Sequence, residues 1–185
     1  MKLLYSNSNP TKESHMYQQT ISRKFSFCSS HRLFKTVCKV EGHPCGFLHG
    51  HNYEGRVTLT VLEGHDMPMV VDFSDLKRII AVVHDIFDHR LILNEEDPLA
   101  ERLADMKITL IPGDPTVEIF TKIWAHLVYL GIYRSRFKSV LEHLEGIRID
   151  MSETANCKGS CCLQVQNEKT PVLSQMIFSQ IKLIN

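Results

Sequence analysis

The segment HGHNYEGRVTLTV, residues 49–61, carries two signals at once. Tyr53, Val57, Leu59 and Val61 alternate with Glu54, Arg56 and Thr58, which predicts a strand over 53–63 with one apolar face. The same parity runs back to His49 and His51. On a helix an i, i+2 pair diverges by ~200°, whereas in an extended segment both side chains point to one side. The two histidines therefore share the face of Val57, Leu59 and Val61. A matching segment, RKFSFCSSH at residues 23–31, places Arg23, Phe25, Phe27, Ser29 and His31 on its odd face. If the two strands pair antiparallel, the end of the first lies beside the start of the second, and His31, His49 and His51 converge. A lone histidine on an apolar strand is ordinarily a hydrogen-bonded core residue. Three of matching parity at one sheet end instead suggest a metal site: three neutral imidazoles with an open fourth position are a catalytic zinc arrangement.

Beyond these strands the period changes. Leu76, Ile79, Ile80, Val83, Ile86 and Phe87 form one stripe of a helix over 74–87, capped by Asp72 or Ser74. A second helix is predicted from about Pro115 to Tyr129 through Ile119, Phe120, Ile123, Trp124, Leu127 and Val128, with Gly131 placed to close it. Ile147, Ile149 and Met151 mark a third strand, and Cys161, Leu163 and Val165 a fourth. A short strand over Lys107 to Ile111 is expected inside the long 95–113 connection. Residues 1–20 read as a flexible extension, 21–166 as the catalytic domain, and 167–185 as a tail with weak helical spacing. The order strand, strand, helix, helix, strand, strand points to an α+β fold, an antiparallel sheet covered on one face by two helices. Four strands leave two open edges, which favours self-association.

The 185 residues make one domain, long enough for a real core. Lys plus Arg and Asp plus Glu each number 21, so the net charge is zero, which argues against nucleic acid or an anionic membrane as partner. No apolar run approaches ~18 residues, the length of a membrane-spanning helix, and the N-terminal apolar run is too short for a signal-peptide core. A cytoplasmic protein is expected, its six cysteines being free thiols, metal ligands or a nucleophile.

Cys45 lies between Pro44 and Gly46, four residues before His49. In isolation it would be an inert small residue, but a nearby dication lowers a thiol's pKa and makes a thiolate base plausible. Glu153 has the parity of Ile147, Ile149 and Met151. It is either a strand-end carboxylate turned to solvent or one paired by the two-donor edge of a purine-like heterocycle. Asp88 and His89, after the first helix, read as helix-end polar chemistry or as an orienting carboxylate with a proton-transfer imidazole. Cys157, Cys161 and Cys162 fit no zinc spacing and read as core or loop thiols.

From Phe25 to Gly159 the chain resembles the 6-pyruvoyl-tetrahydropterin synthase / 6-carboxy-tetrahydropterin synthase family. The resemblance rests on FCSSHRL (27–33), GHPCGFLHGHNY (42–53), VDFSDLK (71–77), FDHR (87–90) with Leu93-Asn94, PTVE (115–118) and SET (152–154). It implies zinc on His31, His49 and His51, Cys45 as catalytic base, and Asp88 with His89 as proton-relay pair. It also implies Glu153 as anchor of the pterin ring, with Thr154, Thr116 and Glu118 nearby. The implied fold is the tunnelling fold, ββααββ units assembled into a barrel, usually a homohexamer with sites at subunit interfaces. The substrate would be 7,8-dihydroneopterin triphosphate, its triphosphate held by cations among Lys24, Arg32, Lys35 and Arg56.

Within the family, the Cys45-to-His49 spacing resembles the bacterial carboxy type, a zinc-dependent lyase serving queuosine and other 7-deazapurine pathways. That type yields 6-carboxy-5,6,7,8-tetrahydropterin, acetaldehyde and triphosphate. The alternatives are a 6-pyruvoyl-tetrahydropterin synthase and a non-catalytic zinc- or pterin-binding module. The chain departs from the compact bacterial members in its longer 95–113 connection, in Ala155 where a cysteine is common, and in its tail to Asn185.

Overall fold

The two strands predicted around the histidines form one long hairpin, β1 (Gln18–His31) and β2 (His49–Leu62), paired antiparallel from Gln18↔Leu62 to His31↔His49. The structure is a computed structural model and describes residues 18–37, 40–62, 69–103, 105–166 and 169–184. Most of the expected 1–20 extension lies outside the described residues, and β1 begins at Gln18. The odd side chains of β1 and β2 turn inward as the alternation requires: Phe25, Phe27, Tyr53, Val57, Leu59 and Val61 are all buried.

The other elements follow as α1 (Phe73–His84), β3 (Arg90–Asn94), α2 (Leu99–Arg102), β4 (Ile108–Ile111) and α3 (Val117–Tyr133). Then come β5 (Leu144–Ser152), β6 (Lys158–Gln164), α4 (Thr170–Gln180) and β7 (Lys182–Ile184). The sheet order is β6-β5-β2-β1-β3-β4-β7. Its β6-β5-β2-β1 half is the antiparallel set expected from the alternation. The sheet as a whole is mixed, because β3 and β4 run parallel to β1 and β7 returns antiparallel on β4. No alternation announced β3: four of its five residues are buried, and a strand covered on both faces loses the period-2 signal. The tail is α4 and β7.

Asp72 caps α1, its carboxylate accepting the Ser74 amide at 2.7 Å, and Thr116 caps α3. Gly131 does not end α3, which runs on to Tyr133. A Cβ at 131 would stand 2.4 Å from Cγ2 of Ile79, so this glycine permits close approach of α1 instead. Both helices lie on the odd face, α1 against β1 and α3 against β5 and β6. Between them and the sheet the Phe25 ring stacks on Trp124 at 3.9 Å and Phe27 on Tyr53 at 4.7 Å. Among the described residues no helix is long and apolar enough to cross a membrane.

Candidate metal centre and its surroundings

The hairpin register sets the centre. His31 pairs with His49 and Ser29 with His51, so two strand ends place three imidazoles on one face. One ligand nitrogen from each of His31, His49 and His51 lies within 4.8 Å of the others, the only such cluster of potential metal ligands among the described residues. Backbone carbonyls orient two of the rings. Nδ1 of His31 donates to the Pro115 carbonyl at 2.6 Å, and Nδ1 of His49 to the Phe47 carbonyl at 2.8 Å. A carbonyl only accepts, so each Nδ1 carries the proton and each Nε2 keeps its lone pair for a metal. Burial holds the His31 pKa below its ordinary value, with His49 and His51 adding repulsion against the bonds that favour its charge. A neutral imidazole is the form that ligates.

Glu153 faces this cluster and does not turn to solvent. Its Oε1 lies 3.5 Å from Nε2 of His31 and 3.8 Å from Nε2 of His51, and the side chain is 23% exposed. Tyr53, wholly buried, donates its hydroxyl to the same Oε1 at 3.1 Å. Burial and the neighbouring carboxylate push the phenol pKa up, so it remains a donor. Imidazole lone pairs and a carboxylate facing one another repel unless a cation stands among them. The donor set therefore fits a divalent metal of the borderline, imidazole-loving kind.

Cys45 sits half-buried on a 3-10 turn, Pro44–Gly46, that leads into His49. The turn is fixed at both ends: the Cys45 amide donates to Nδ1 of His43 at 3.2 Å, and its carbonyl accepts the Leu33 amide at 2.8 Å. Asp88 and His89 form the expected pair, Nδ1 of His89 bonding Oδ2 of Asp88 at 2.6 Å. Burial opposes the Asp88 charge, but the Cys28 amide and the rings of His89 and His84 outweigh it and lower its pKa. The His89 side chain is 79% exposed and lines one cavity with His49 and His51, but among the described residues no hydrogen bond or ion pair joins Asp88 or His89 to Cys45 or to the three histidines.

The Thr116 hydroxyl is engaged as the α3 cap, and Glu118 is exposed in the first turn of that helix. The Thr154 hydroxyl accepts the amides of Asn156 and Cys157, shaping the turn after β5. Of the four candidate cations, Arg32 forks onto the buried Asp97, Lys35 pairs with Glu96 at 2.5 Å, and Arg56 donates to Ser22 at 3.0 Å. Cys157, Cys161 and Cys162 join no metal-competent group among the described residues.

Two residues escaped the sequence reading. Tyr53 looked like one more core aromatic, and its hydroxyl partner became visible only with Glu153 in place. Asp114 accepts the amides of Phe34, Lys35 and Thr36 and the side-chain amide of Asn94, tying the loop after His31 to the entry of α3. Its signal was the Asp-Pro step before the α3 cap, a turn former.

Residues 20–161 match the sequence model of the family described as 6-pyruvoyl tetrahydropterin synthase. The chain is 30% identical over 143 residues to 6-carboxy-5,6,7,8-tetrahydropterin synthase of Rickettsia bellii, covering 74% of this chain and 94% of that protein. It is 25% identical over 155 residues to the Aquifex aeolicus protein of the same name, covering 75% and 94%. Among solved structures, Plasmodium falciparum 6-pyruvoyl tetrahydropterin synthase superposes with a TM-score of 0.61 at 21% identity, over 80% of this chain and 99% of that one. The Caenorhabditis elegans enzyme gives 0.55 at 21%, over 80% and 98%. These structures share the tunnelling fold with the present chain. With most of its length matched by the family's model, the chain belongs to the 6-pyruvoyl tetrahydropterin synthase family.

Proposed function

We propose that the chain is a zinc-dependent lyase that converts 7,8-dihydroneopterin triphosphate and water to 6-carboxy-5,6,7,8-tetrahydropterin, acetaldehyde and triphosphate, in a cytoplasmic queuosine-type pathway. The observation that carries this reading is the meeting of three imidazole nitrogens with Glu153 at the end of the β1–β2 hairpin. The names of the curated relatives favour the carboxy product.

His31, His49 and His51 would hold the zinc, which when bound polarises the vicinal hydroxyls of the substrate and acidifies the adjoining carbon–hydrogen bonds. Glu153 offers its carboxylate to the amino–imino edge of the pterin, with Tyr53 bonded to Oε1 and Oε2 left for the second donor. The Cys45 thiolate takes a proton from the side chain, and His89, oriented by Asp88, returns one at a different carbon. Thr154, in the turn after β5, and Thr116 and Glu118, at the start of α3, would assist in binding the pterin.

His89 is exposed, Asp88 is half-buried, and neither bonds Cys45 within one chain, so the working site takes Asp88 and His89 from a second copy. A homohexameric barrel supplies such contacts. Among the described residues the sheet offers for it the outer edge of β6 and that of β1 ahead of Ser29, where its pairing with β3 starts, besides the short outer edge of β7.

Incubating zinc-loaded protein with 7,8-dihydroneopterin triphosphate and analysing the products by mass spectrometry tests the reading. Acetaldehyde with a carboxylated pterin is expected. A pyruvoyl pterin would select the triphosphate-eliminating synthase instead, and recovery of intact substrate would select a non-catalytic pterin-binding module.

A further inference from the structure

His89 is the one non-glycine residue with positive φ among the described residues, at 54°. A side chain held in the left-handed region persists where its surroundings over-determine it, and such residues gather at functional sites. Here the upstream side is pinned to β1. Oδ1 of Asp88 accepts the Cys28 amide at 2.9 Å, and the His89 amide donates to the Cys28 carbonyl at 2.8 Å.

The downstream side is pinned by Arg90. Its guanidinium Nη2 donates to the Ile108 carbonyl of β4 at 3.0 Å and to the Ile184 carbonyl of β7 at 2.9 Å. Strand β7 lies beyond the residues that match the family model, yet it is firmly placed. It pairs with β4 through Ile108↔Ile184, Thr109↔Leu183 and Leu110↔Lys182, and Lys182 approaches Glu95 at 3.8 Å. The preceding α4 docks on α3 through Ser174, fully buried against Nδ1 of His126 at 2.9 Å. By contrast, β3 joins β1 over only three residues, Ser29 to His31. The start of β3 thus takes a further hold from its far side.

We propose that the C-terminal strand, acting through Arg90, is a clasp that keeps His89 in its left-handed, outward-facing conformation. Arg90 is then a positioning residue for the proton transfer assigned above to His89, and this consequence rests on that assignment. Misplacing a proton-transfer group by about an ångström lowers turnover by up to ~10²-fold without touching the metal.

The test uses the zinc-loaded, full-length protein with Arg90→Met, which removes both bonds, and Leu183→Pro, which breaks β7 pairing from the tail side. Both variants are expected to shift and broaden the His89 ring resonances and to lower kcat about tenfold, while KM and zinc content hold. Arg90→Lys should recover part of the loss. In a His89→Ala background neither substitution should lower kcat further, because the clasp works through that ring. Unmoved His89 resonances in both variants would overturn the proposal, as would an equal loss of kcat in the His89→Ala background. Full turnover in His89→Ala alone would overturn the proton-transfer assignment, and displaced resonances in the two variants would still support the clasp.

Discussion

Nδ1 of His31 donates to the carbonyl of Pro115 at 2.6 Å, so the residue that leads into α3 sets the tautomer of an imidazole at the end of β1. A helix entry and a strand end are thereby joined at the three-histidine cluster. His49 has the equivalent bond to Phe47, from its own loop. Such outer bonds raise ligand basicity and fix ring orientation.

The ligand assignment predicts the behaviour of His49→Ala. With one of three protein donors gone, zinc affinity should fall more than ~100-fold, the upper range for losing even an outer partner. Metal content after dialysis, measured by atomic emission, checks this. Full zinc occupancy in the variant would remove His49 from the centre.

Cys45→Ala separates base from metal. Zinc content should be unchanged while turnover drops by ~10²–10⁴-fold, the range for a positioned proton-transfer group. Steady-state assays beside a zinc determination decide it, and undiminished turnover would exclude the thiol from the reaction.

Glu153 and Tyr53 should act on substrate affinity. Glu153→Gln cannot take two donor bonds as a carboxylate does and should raise KM at least tenfold with zinc retained, about 1.4 kcal/mol for a charge-assisted bond. Tyr53→Phe leaves the buried ring and removes one donor to Oε1, so a smaller rise is expected. Loss of zinc in Glu153→Gln would instead make that carboxylate a fourth metal ligand.

Asp114 predicts an acid limb of stability. Burial raises its pKa, but Asn94 and the amides of Thr36 and Lys35 prevail, bringing it to about 2 from an ordinary 3.8. A depressed carboxyl pKa adds stability above the unfolded-state value, and that stability is lost as pH falls through the folded-state value. The side chain is 6% exposed, so the gain at neutral pH is about 2 kcal/mol. Asp114→Asn should be destabilised by roughly that amount at pH 7, with the gap closing between about pH 4 and 2. Urea titrations across that range measure it, and a gap that stays constant would contradict the assignment.

Much of the centre was legible in the residue order. Strand parity alone puts His31, His49 and His51 on one face, because a period of two is a property of the extended chain and needs no partner. The helices expected at 74–87 and about 115–129, found at 73–84 and 117–133, announced themselves the same way, through stripes at 3.6 residues and, for the first, a cap at Asp72 or Ser74. Strand β3 stayed hidden because its burial on both faces erased the pattern, and β7 because three residues carry none.

Local covalent geometry thus determined which side chains could share a surface: the histidine face, the apolar stripes and the turn that holds Cys45. Folding in three dimensions settled the partners at long range, namely Glu153 turned toward His31 and His51, the Tyr53 hydroxyl on Oε1, Pro115 behind His31, and Arg90 spanning β4 and β7. The physical reason is separation along the chain. Periodicity reports the few residues around each position, whereas these bonds join segments brought together only when the core closes over Phe25, Phe27 and Trp124.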